Sequence, residues 1–367
     1  MHLATLIRMQ RSIRKRLLFL SQSSFVPLQG AKFFIQMVQT DYNEVTKILL
    51  AYPERFYNGY DELVPFYDEL IALIPNNFKI GIITNNNQSI KKLEEKFKHK
   101  KIDFLGLKGW DEIWLRDCIG FNTKDHIVKP QYSPSYCKRN GDYDYFKKIN
   151  GLSSTLVRNF LQKDIISLKL IIDGGNMVCN EQFVYLTDKV YLDNPIYSHN
   201  EVDTLIKNYT GLEPIIIENN KSDVIGHMDA YLSFIDNQRA FIPEYPSFPF
   251  LKEDIDFIKK VDESVASNGI ERITLFDRPI DEAAICGCNT NKTKPCFYSA
   301  RGNFLNFLRL NNTIILPEYN LPTKKETQYY NITNQETFEG LGFDVLRINC
   351  DVLAKFGGVL HCISYTV

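Results

Sequence analysis

Four short stretches of the chain combine ionisable side chains with glycine or apolar neighbours, a setting in which a purely solvated role is least expected. Between them they supply carboxylates, an imidazole and a thiol, which are the groups used for proton transfer and nucleophilic attack. The stretches are Trp114-Leu115-Arg116-Asp117, Asp173-Gly174-Gly175-Asn176, Gly226-His227-Met228-Asp229 and Gly357-Gly358-Val359-Leu360-His361-Cys362.

The third stretch offers a paired acid and base. One residue separates His227 from Asp229 at the start of a predicted strand, 229–235, where alternation would direct both side chains to one face. A carboxylate beside an imidazole favours the charged ring and makes it a proton carrier near neutral pH. The alternative is a hydrogen-bonded turn in which the two residues only stabilise the backbone.

The first two stretches offer further carboxylates. Asp173 follows the apolar run 168–172, and the two glycines after it allow a tight turn or the close approach of a ligand. The alternative for Asp173 is a turn aspartate that accepts local backbone hydrogen bonds. Asp117 lies beside Arg116 in an apolar setting, so the alternative there is a structural ion pair.

The last stretch offers a nucleophile. Cys362 follows a glycine pair and a histidine five residues from the end of the chain, although an unpaired cysteine is most often a small buried hydrophobe. The eight cysteines are widely scattered, which favours a reduced interior over a disulfide framework. Cys286, Cys288 and Cys296 lack the paired C-x-x-C spacing of zinc knuckles, so no metal site is predicted.

Taken together and in this order, the four stretches resemble the motifs of the agmatine deiminase and bacterial peptidyl-arginine deiminase family, within the guanidino-group-modifying enzymes. That family carries W-x-R-D, E-G-G-N, G-H-x-D and G-G-x-x-H-C in the same order, and the matches span nearly all of 37–367. Asn303-Phe304 is similar, more loosely, to an Asn-Phe pair that the family places before its penultimate strands. Asp173 departs from the pattern because it is one methylene shorter than glutamate, and Ala230 replaces an asparagine.

The resemblance implies an α/β pentein fold, a five-bladed pseudosymmetric propeller of small mixed sheets around a central channel. It also implies roles: Cys362 as the nucleophile, and His227 as general acid and then base. Asp117 and Asp229 would hold the guanidinium, with Asp173 oriented toward the imidazole. The residues expected to line the substrate are Trp114, Asn176, Asn303 and Gly358, and neither a metal nor an organic cofactor is expected.

This residue set suits attack on a guanidinium carbon. Two carboxylates can bind the planar cation through charge-assisted hydrogen bonds, and a thiolate can add to its carbon to form a thiouronium intermediate. The expected activity is hydrolytic deimination with release of ammonia, with agmatine favoured over peptidyl-arginine or another arginine derivative. The alternatives are amidino transfer on the same fold and a pentein module that binds without catalysis.

The elements that must position these residues alternate between strand-type and helix-type runs, which predicts an α/β fold. Short connections such as Cys179-Asn180-Glu181-Gln182 permit hairpins and therefore predict mixed sheets. No G-x-G-x-x-G or P-loop sequence supports a nucleotide-binding fold. The predicted strands are 44–51, 79–84, 168–172, 183–187, 214–218, 229–235 and 313–317, and the predicted helices are 61–74, 88–100, 200–209, 251–267 and 334–341.

Charge separates the first 36 residues from the rest. The chain of 367 residues has 43 basic and 44 acidic side chains, but residues 1–36 hold six basic and no acidic ones, which leaves the remainder at −7. We interpret 1–36 as an extension that is disordered, targets an organelle or precedes a true start at Met37, and 37–367 as a single catalytic domain.

Composition also limits the partners. The near-neutral net charge of −1 favours neither nucleic acid nor a membrane surface, and no apolar run is long enough to span a bilayer. The expected partner is a small cationic guanidino compound or an arginyl peptide. A cytoplasmic location is expected unless residues 1–36 direct the chain elsewhere, and the sequence leaves open whether the protein is a homo-oligomer.

Overall fold

A computed structural model describes residues 38–54, 59–136, 142–221, 223–285 and 297–367. These residues form five small sheets that share one pattern. In each sheet a short strand pairs antiparallel with a second strand, and the second pairs parallel with a third. We call each sheet, with the helices that join its parallel strands, a unit.

The first unit closes the chain on itself. Its sheet contains, in spatial order, β16 (Ser364–Thr366), β1 (Lys47–Ala51), β2 (Lys79–Thr84) and β3 (Ile102–Gly106). Pairing of the last strand with the first brings the end of the chain beside its beginning.

The other four units follow in chain order, each as one three-stranded sheet. Their strands are β4 (Phe121–Asn122), β5 (His126–Gln131) and β6 (Asp164–Ile171) in the second unit; β7 (Val178–Cys179), β8 (Phe183–Thr187) and β9 (Glu213–Ile217) in the third; β10 (Ser233–Phe234), β11 (Arg239–Glu244) and β12 (Glu271–Phe276) in the fourth; and β13 (Leu308–Leu310), β14 (Thr313–Glu318) and β15 (Asp344–Asn349) in the fifth.

Helices join the parallel strands, because a parallel pair needs a crossover connection. The described α-helices are α1 (Val64–Leu73), α2 (Gln88–Lys96), α3 (Leu115–Ile119), α4 (Asp142–Leu156), α5 (Lys189–Asp193), α6 (His199–Thr210), α7 (Lys252–Ser267), α8 (Lys324–Gly340), α9 (Asp351–Ala354) and α10 (Leu360–Ile363). Three of the short ones, α3, α9 and α10, lie in the connections between units.

Local sequence explains where α6 begins and ends. Ser198 Oγ accepts a hydrogen bond from the Glu201 backbone N–H at 3.3 Å, and the Glu201 carboxylate accepts one from the Ser198 N–H at 2.7 Å. This capping box satisfies donors that the helix leaves unpaired. Gly211 ends the helix with a φ of 76°, a left-handed conformation that glycine adopts without strain.

The core lies between the sheets and their helices. Ile48, Leu49 and Leu50 of β1 are fully buried, because β1 is an interior strand of its sheet and residues of both its faces pack into the core. The apolar cluster around them includes Ile315 of β14 and Tyr365 of β16, so the first and fifth units share one core. Burial of this surface fixes the positions of the connections between units.

The predicted α/β fold class with small mixed sheets is confirmed, and the hairpin predicted at Cys179–Gln182 joins β7 to β8. The strand predicted at 229–235 is wrong. Met228–Ala230 form a single turn of 3-10 helix, and the strand that follows has only two residues. Five of the seven residues of this run are buried, so its apolar pattern carried no period that could distinguish strand from turn.

The helix predicted at 334–341 begins ten residues earlier than expected, at Lys324. Its buried face carries Asn331 and Asn334, which hydrogen-bond to both backbone groups of Tyr319 and of Phe276. Polar residues on the inner face removed the hydrophobic periodicity that marks a helix. Among the described residues no helix is both long and apolar enough to cross a bilayer.

Candidate active site

The residues with catalytic potential lie in the connections that leave the last parallel strand of one unit and enter the next unit. Each of the five connections contributes at least one polar side chain to the same region. Side chains distant in sequence therefore converge because the units repeat the same topology. They are Asp117, Asp173, His227 with Asp229, Asn306, and His361 with Cys362.

Asp117 is buried on the short helix α3, and Trp114 immediately precedes that helix. The carboxylate of Glu112 accepts hydrogen bonds from the backbone N–H groups of Ile113 at 3.0 Å and Trp114 at 3.3 Å, which fixes the turn into the helix. Asp117 Oδ1 accepts a hydrogen bond from the Gly175 N–H at 2.8 Å. This bond joins the first and second connections.

The turn after β6 holds Asp173 and packs tightly against α3. A Cβ on Gly174 would lie 2.0 Å from the carbonyl oxygen of Arg116, so only glycine fits there. Asn176 was predicted to line the substrate. Its Oδ1 accepts hydrogen bonds from the backbone N–H of Thr187 at 2.9 Å and from the Thr187 hydroxyl at 3.0 Å, so it ties this turn to β8.

His227 is buried between two carboxylates. Its Nε2 lies 3.1 Å from Asp173 Oδ2, and its Nδ1 lies 3.7 Å from Asp117 Oδ1. Asp173 therefore reaches the imidazole although it is one methylene shorter than glutamate. The same Asp173 oxygen accepts a hydrogen bond from Lys189 Nζ at 2.8 Å.

Asp229 contacts both the imidazole of His361 and the thiol of Cys362. Its Oδ2 lies 2.7 Å from His361 Nδ1, 3.4 Å from Asn306 Nδ2 and 3.9 Å from Cys362 Sγ. His361 continues outward, with Nε2 3.2 Å from Asp41 Oδ2. The carboxylate is thus held on one side by neighbours and lies beside the sulfur.

Cys362 sits on α10 beside Gly358 and Trp114. A Cβ on Gly358 would lie 2.5 Å from Trp114 Cζ3 and 3.2 Å from Cys362 Cβ. Glycine at this position therefore lets the indole approach the helix that carries the thiol. Gly358 borders the cysteine and Trp114 packs against Gly358, and their role in lining the substrate stays a prediction.

Gly175 lies at the centre of the arrangement. A Cβ there would be 2.7 Å from His227 Nδ1, 3.0 Å from Asp117 Oδ1 and 3.1 Å from Asp229 Oδ2. The missing side chain lets an imidazole and two carboxylates approach the same point of the backbone. Carboxylates that converge in this way are the charge-assisted acceptors that a planar cation needs.

Electrostatics in the site favour a charged imidazole. Burial opposes the charge on His227, but the carboxylates of Asp117 and Asp173 outweigh it and raise the pKa of the ring to about 9. Burial also opposes ionisation of Asp173, yet Lys189 and His227 hold the pKa of that carboxyl well below its usual range. At neutral pH the site thus contains an imidazolium paired with a carboxylate.

The other two groups shift toward their neutral forms. Burial raises the pKa of Asp117 to about 6, even though the imidazolium of His227 acts in the opposite direction. Burial, together with the carboxylates of Asp229 and Asp117, raises the pKa of the Cys362 thiol well above its usual range. The sulfur is therefore a thiol until a positive charge arrives, and a bound cation would favour the thiolate.

Asn303 was predicted to line the substrate, and the structure places it in the turn before β13. Its side chain accepts a hydrogen bond from the Asn306 backbone N–H at 2.9 Å and so shapes the turn, whereas Asn306 contacts Asp229. Asn306 Oδ1 also accepts hydrogen bonds from the backbone N–H groups of His361 at 3.1 Å and Cys362 at 3.3 Å. Two Asn-Phe pairs occur in this segment, and only the second directly precedes β13. That adjacency is the signal that could have identified Asn306.

Comparison with known proteins identifies the family. The model of the Porphyromonas-type peptidyl-arginine deiminase family matches residues 37–367. The chain belongs to this family. It is therefore a member of a family of deiminases, hydrolases that act on C–N bonds of linear amidines. No protein of curated function matches the sequence significantly.

Solved structures show that the deiminase fold is shared. The agmatine deiminase of C. jejuni has a TM-score of 0.68 at 19% identity, with 92% of this chain and 98% of that one covered. The agmatine deiminase of Enterococcus faecalis has a TM-score of 0.70 at 15% identity, with 90% of this chain and 95% of that one covered. Both identities are low, so these likenesses establish the fold.

Metal binding can be assessed only for the residues that the structure describes. Among residues that the structure describes, no group of three or more His, Cys, Asp or Glu side chains is arranged to hold a metal ion. Cys286, Cys288 and Cys296, considered as zinc ligands, lie outside the described residues, as does Cys137. The N-terminal extension 1–36 also lies outside them.

Proposed function

We propose that this protein catalyses the hydrolytic deimination of a guanidino compound and releases ammonia. The observation that carries the proposal is the position of Cys362 Sγ 3.9 Å from Asp229 Oδ2, in a site where His227, Asp117 and Asp229 converge on Gly175. A nucleophile, a proton carrier and two carboxylates in one site are the groups that the reaction requires.

The first half of the reaction begins with the cation. Asp117 and Asp229 bind the guanidinium, and its charge lowers the thiol pKa so that Cys362 releases its proton to solvent. The thiolate adds to the central carbon and forms a C–S bond. The imidazolium of His227 then gives its proton to the departing nitrogen, which leaves as ammonia, and a thiouronium intermediate with neutral His227 remains.

The second half consumes water. Neutral His227 takes a proton from a water molecule as the oxygen attacks the thiouronium carbon. The C–S bond then breaks, and the sulfur leaves as a thiolate beside the regenerated imidazolium. The added hydroxyl loses its remaining proton to solvent as the ureido product forms, and this proton balances the released ammonia as ammonium. Asp173 stabilises the charged ring through its 3.1 Å contact. No step needs a metal or an organic cofactor.

Agmatine is the favoured substrate within this class. Agmatine deiminases are among the solved structures that share the fold, and one of them, from C. jejuni, is described with substrate bound. Deimination of agmatine yields a ureido derivative of putrescine, which would give the protein a role in putrescine and polyamine biosynthesis. Peptidyl-arginine is the second substrate to test, because it carries the same guanidinium group. We propose a cytoplasmic location for residues 37–367, with targeting by 1–36 as the alternative.

The deciding experiment measures ammonia release by the purified protein with agmatine, free arginine or an arginyl peptide, and with no added amine. Turnover of one substrate without an amine acceptor supports hydrolysis and opposes amidino transfer. Cys362→Ala should abolish turnover and leave the thermal unfolding midpoint close to that of the wild type, because it removes one sulfur atom. Guanidino ligand binding without any ammonia release would instead favour the non-catalytic binding module.

A further inference from the structure

Lys189 is a buried cation beside the proposed proton carrier. Its side chain is 6% exposed and forms ion pairs with two carboxylates, Asp173 at 2.8 Å and Asp193 one turn later on α5. Those two carboxylates are 0% and 1% exposed. A lysine is almost never buried unless it is paired, and this one is paired with the acid that contacts His227.

The Asp173 carboxylate is held through a single oxygen. Both Lys189 Nζ and His227 Nε2 lie within hydrogen-bond distance of Oδ2. The buried Oδ1 has no hydrogen-bond partner among the described residues. Two contacts on one oxygen therefore set the direction of the carboxylate. One of those contacts comes from His227, whose charge must change during the proposed reaction.

The charge of Lys189, in contrast, stays the same throughout the proposed reaction. When His227 gives its proton to ammonia, the attraction between a charged ring and Asp173 is lost, but the charge of Lys189 remains. Burial opposes the lysine charge, yet Asp173 and Asp193 raise the pKa of Lys189 above its usual range, so it stays cationic at every working pH. Asp173 is thus anchored in both states of the imidazole.

We propose that Lys189 is a positioning residue that holds the Asp173 carboxylate against His227 throughout the reaction cycle. This inference rests on the deiminase function proposed above. It predicts that removal of the lysine slows proton transfer without weakening substrate binding, because Lys189 acts on His227 only through Asp173.

The test removes Lys189 together with Asp193, so that neither partner of this ion pair is left as an unpaired buried charge. Lys189→Met/Asp193→Asn deletes one positive and one negative charge, so the net charge near His227 is unchanged. We expect kcat for agmatine to fall on the order of tenfold to a hundredfold, a part of what general acid–base catalysis contributes, with KM nearly unchanged. The matched control is Lys207→Met/Glu213→Gln, which removes an exposed ion pair in the same way and should leave both constants unchanged.

A second measurement needs no turnover. The titration midpoint of the His227 ring, followed by NMR of the histidine-labelled protein and assigned with His227→Gln, should be lower in the double variant than in the wild type. The reason is that a released Asp173 no longer stabilises the imidazolium. An unchanged kcat and an unchanged midpoint in the folded double variant would overturn the proposal.

The two proposals can fail separately. If the wild type releases no ammonia from any guanidino compound, the proposed function fails, while the His227 titration still decides whether Lys189 holds Asp173. If the double variant does not fold, Lys189→Arg keeps a cation but displaces its donors, and the proposal then requires kcat to fall while KM is retained. A fall in thermal stability with kcat retained would show that Lys189 is only structural.

Discussion

The sulfur of Cys362 lies 3.9 Å from Oδ2 of Asp229, a residue 133 positions earlier in the chain. An isolated carboxylate beside a thiol suppresses its ionisation, because two negative charges would be buried together. A cation bound between them reverses this effect. The arrangement therefore predicts that the Cys362 sulfur is reactive when a positively charged ligand is present, and this dependence can be measured.

Alkylation should discriminate between a cationic and a neutral reagent. We expect 2-chloroacetamidine to label Cys362 much faster than 2-chloroacetamide at neutral pH, because only the amidine brings a charge that stabilises the thiolate. Mass spectrometry of tryptic peptides measures the labelling, and agmatine should protect the site. Cys179 is an internal control, because burial raises the pKa of its thiol to about 12 and it should react slowly with both reagents. Equal rates for the two reagents at Cys362 would contradict the proposed role of the carboxylates.

The pH dependence of kcat/KM should be bell-shaped, with limbs near pH 6 and pH 9. Asp117 must be ionised to bind the cation, so activity falls as pH drops through its pKa of about 6. His227 must be protonated to release ammonia, so activity falls as pH rises through its pKa of about 9. Ammonia release in a buffer series of constant ionic strength measures both limbs.

Asp173→Asn should move the alkaline limb to lower pH. Asp173 is among the groups that raise the pKa of His227, so its neutral replacement lets the imidazolium lose its proton at lower pH.

For the wild type, a rate that climbs steadily to pH 10 would show instead that ionisation of Cys362 in the free protein limits the reaction.

Gly175→Ala should abolish activity. The added methyl group would lie 2.7 Å from His227 Nδ1 and 3.0 Å from Asp117 Oδ1, so it would force apart the groups proposed to act on the guanidinium. Gly151→Ala is the matched control: no atom lies within 4 Å of a Cβ there, and Gly151 is inside α4. The control should stabilise the fold by about 0.5–1 kcal/mol and keep full activity. Ammonia release and urea unfolding measure the pair, and substrate turnover by Gly175→Ala at the wild-type rate would place the substrate elsewhere.

Asn306→Ala should reduce kcat more than Asn303→Ala does. Asn306 contacts Asp229 and accepts hydrogen bonds from the backbone N–H groups of His361 and Cys362. The Asn303 side chain instead accepts a hydrogen bond within its own turn. Loss of those bonds leaves both the carboxylate and the thiol less well oriented, for which we expect a loss on the order of a hundredfold. Steady-state kinetics of the two variants decide the order, and the reverse order would favour the residue that sequence comparison selected.

The site could be predicted only in part, for reasons that particular residues illustrate. Asp117, His227, Asp229 and Cys362 stand out because each occurs in a short pattern whose spacing is visible along the chain. Lys189 and Asp41 lie in none of the four stretches, and His361, although it belongs to the last stretch, received no role there. Their contacts to Asp173, Asp229 and His361 exist only because separate units pack together.

The fold shows the same division. The hairpin at β7 and β8 was predictable because a hairpin depends on a short local connection. The start of α8 was not, because its inner face uses Asn331 and Asn334 to bind the backbone of other strands. A buried polar residue carries no signal of burial in the sequence, since the partner that satisfies it is elsewhere in the chain.

The sequence by itself determined the α/β class, the mixed sheets and the choice of proposed reacting groups, because strand and turn preferences and short motifs are local properties. The tertiary structure decided which asparagine contacts Asp229, how Asp173 reaches His227 and which lysine contacts Asp173. These depend on distances of a few ångströms between units, and such distances follow from the packing of the whole core rather than from any one segment.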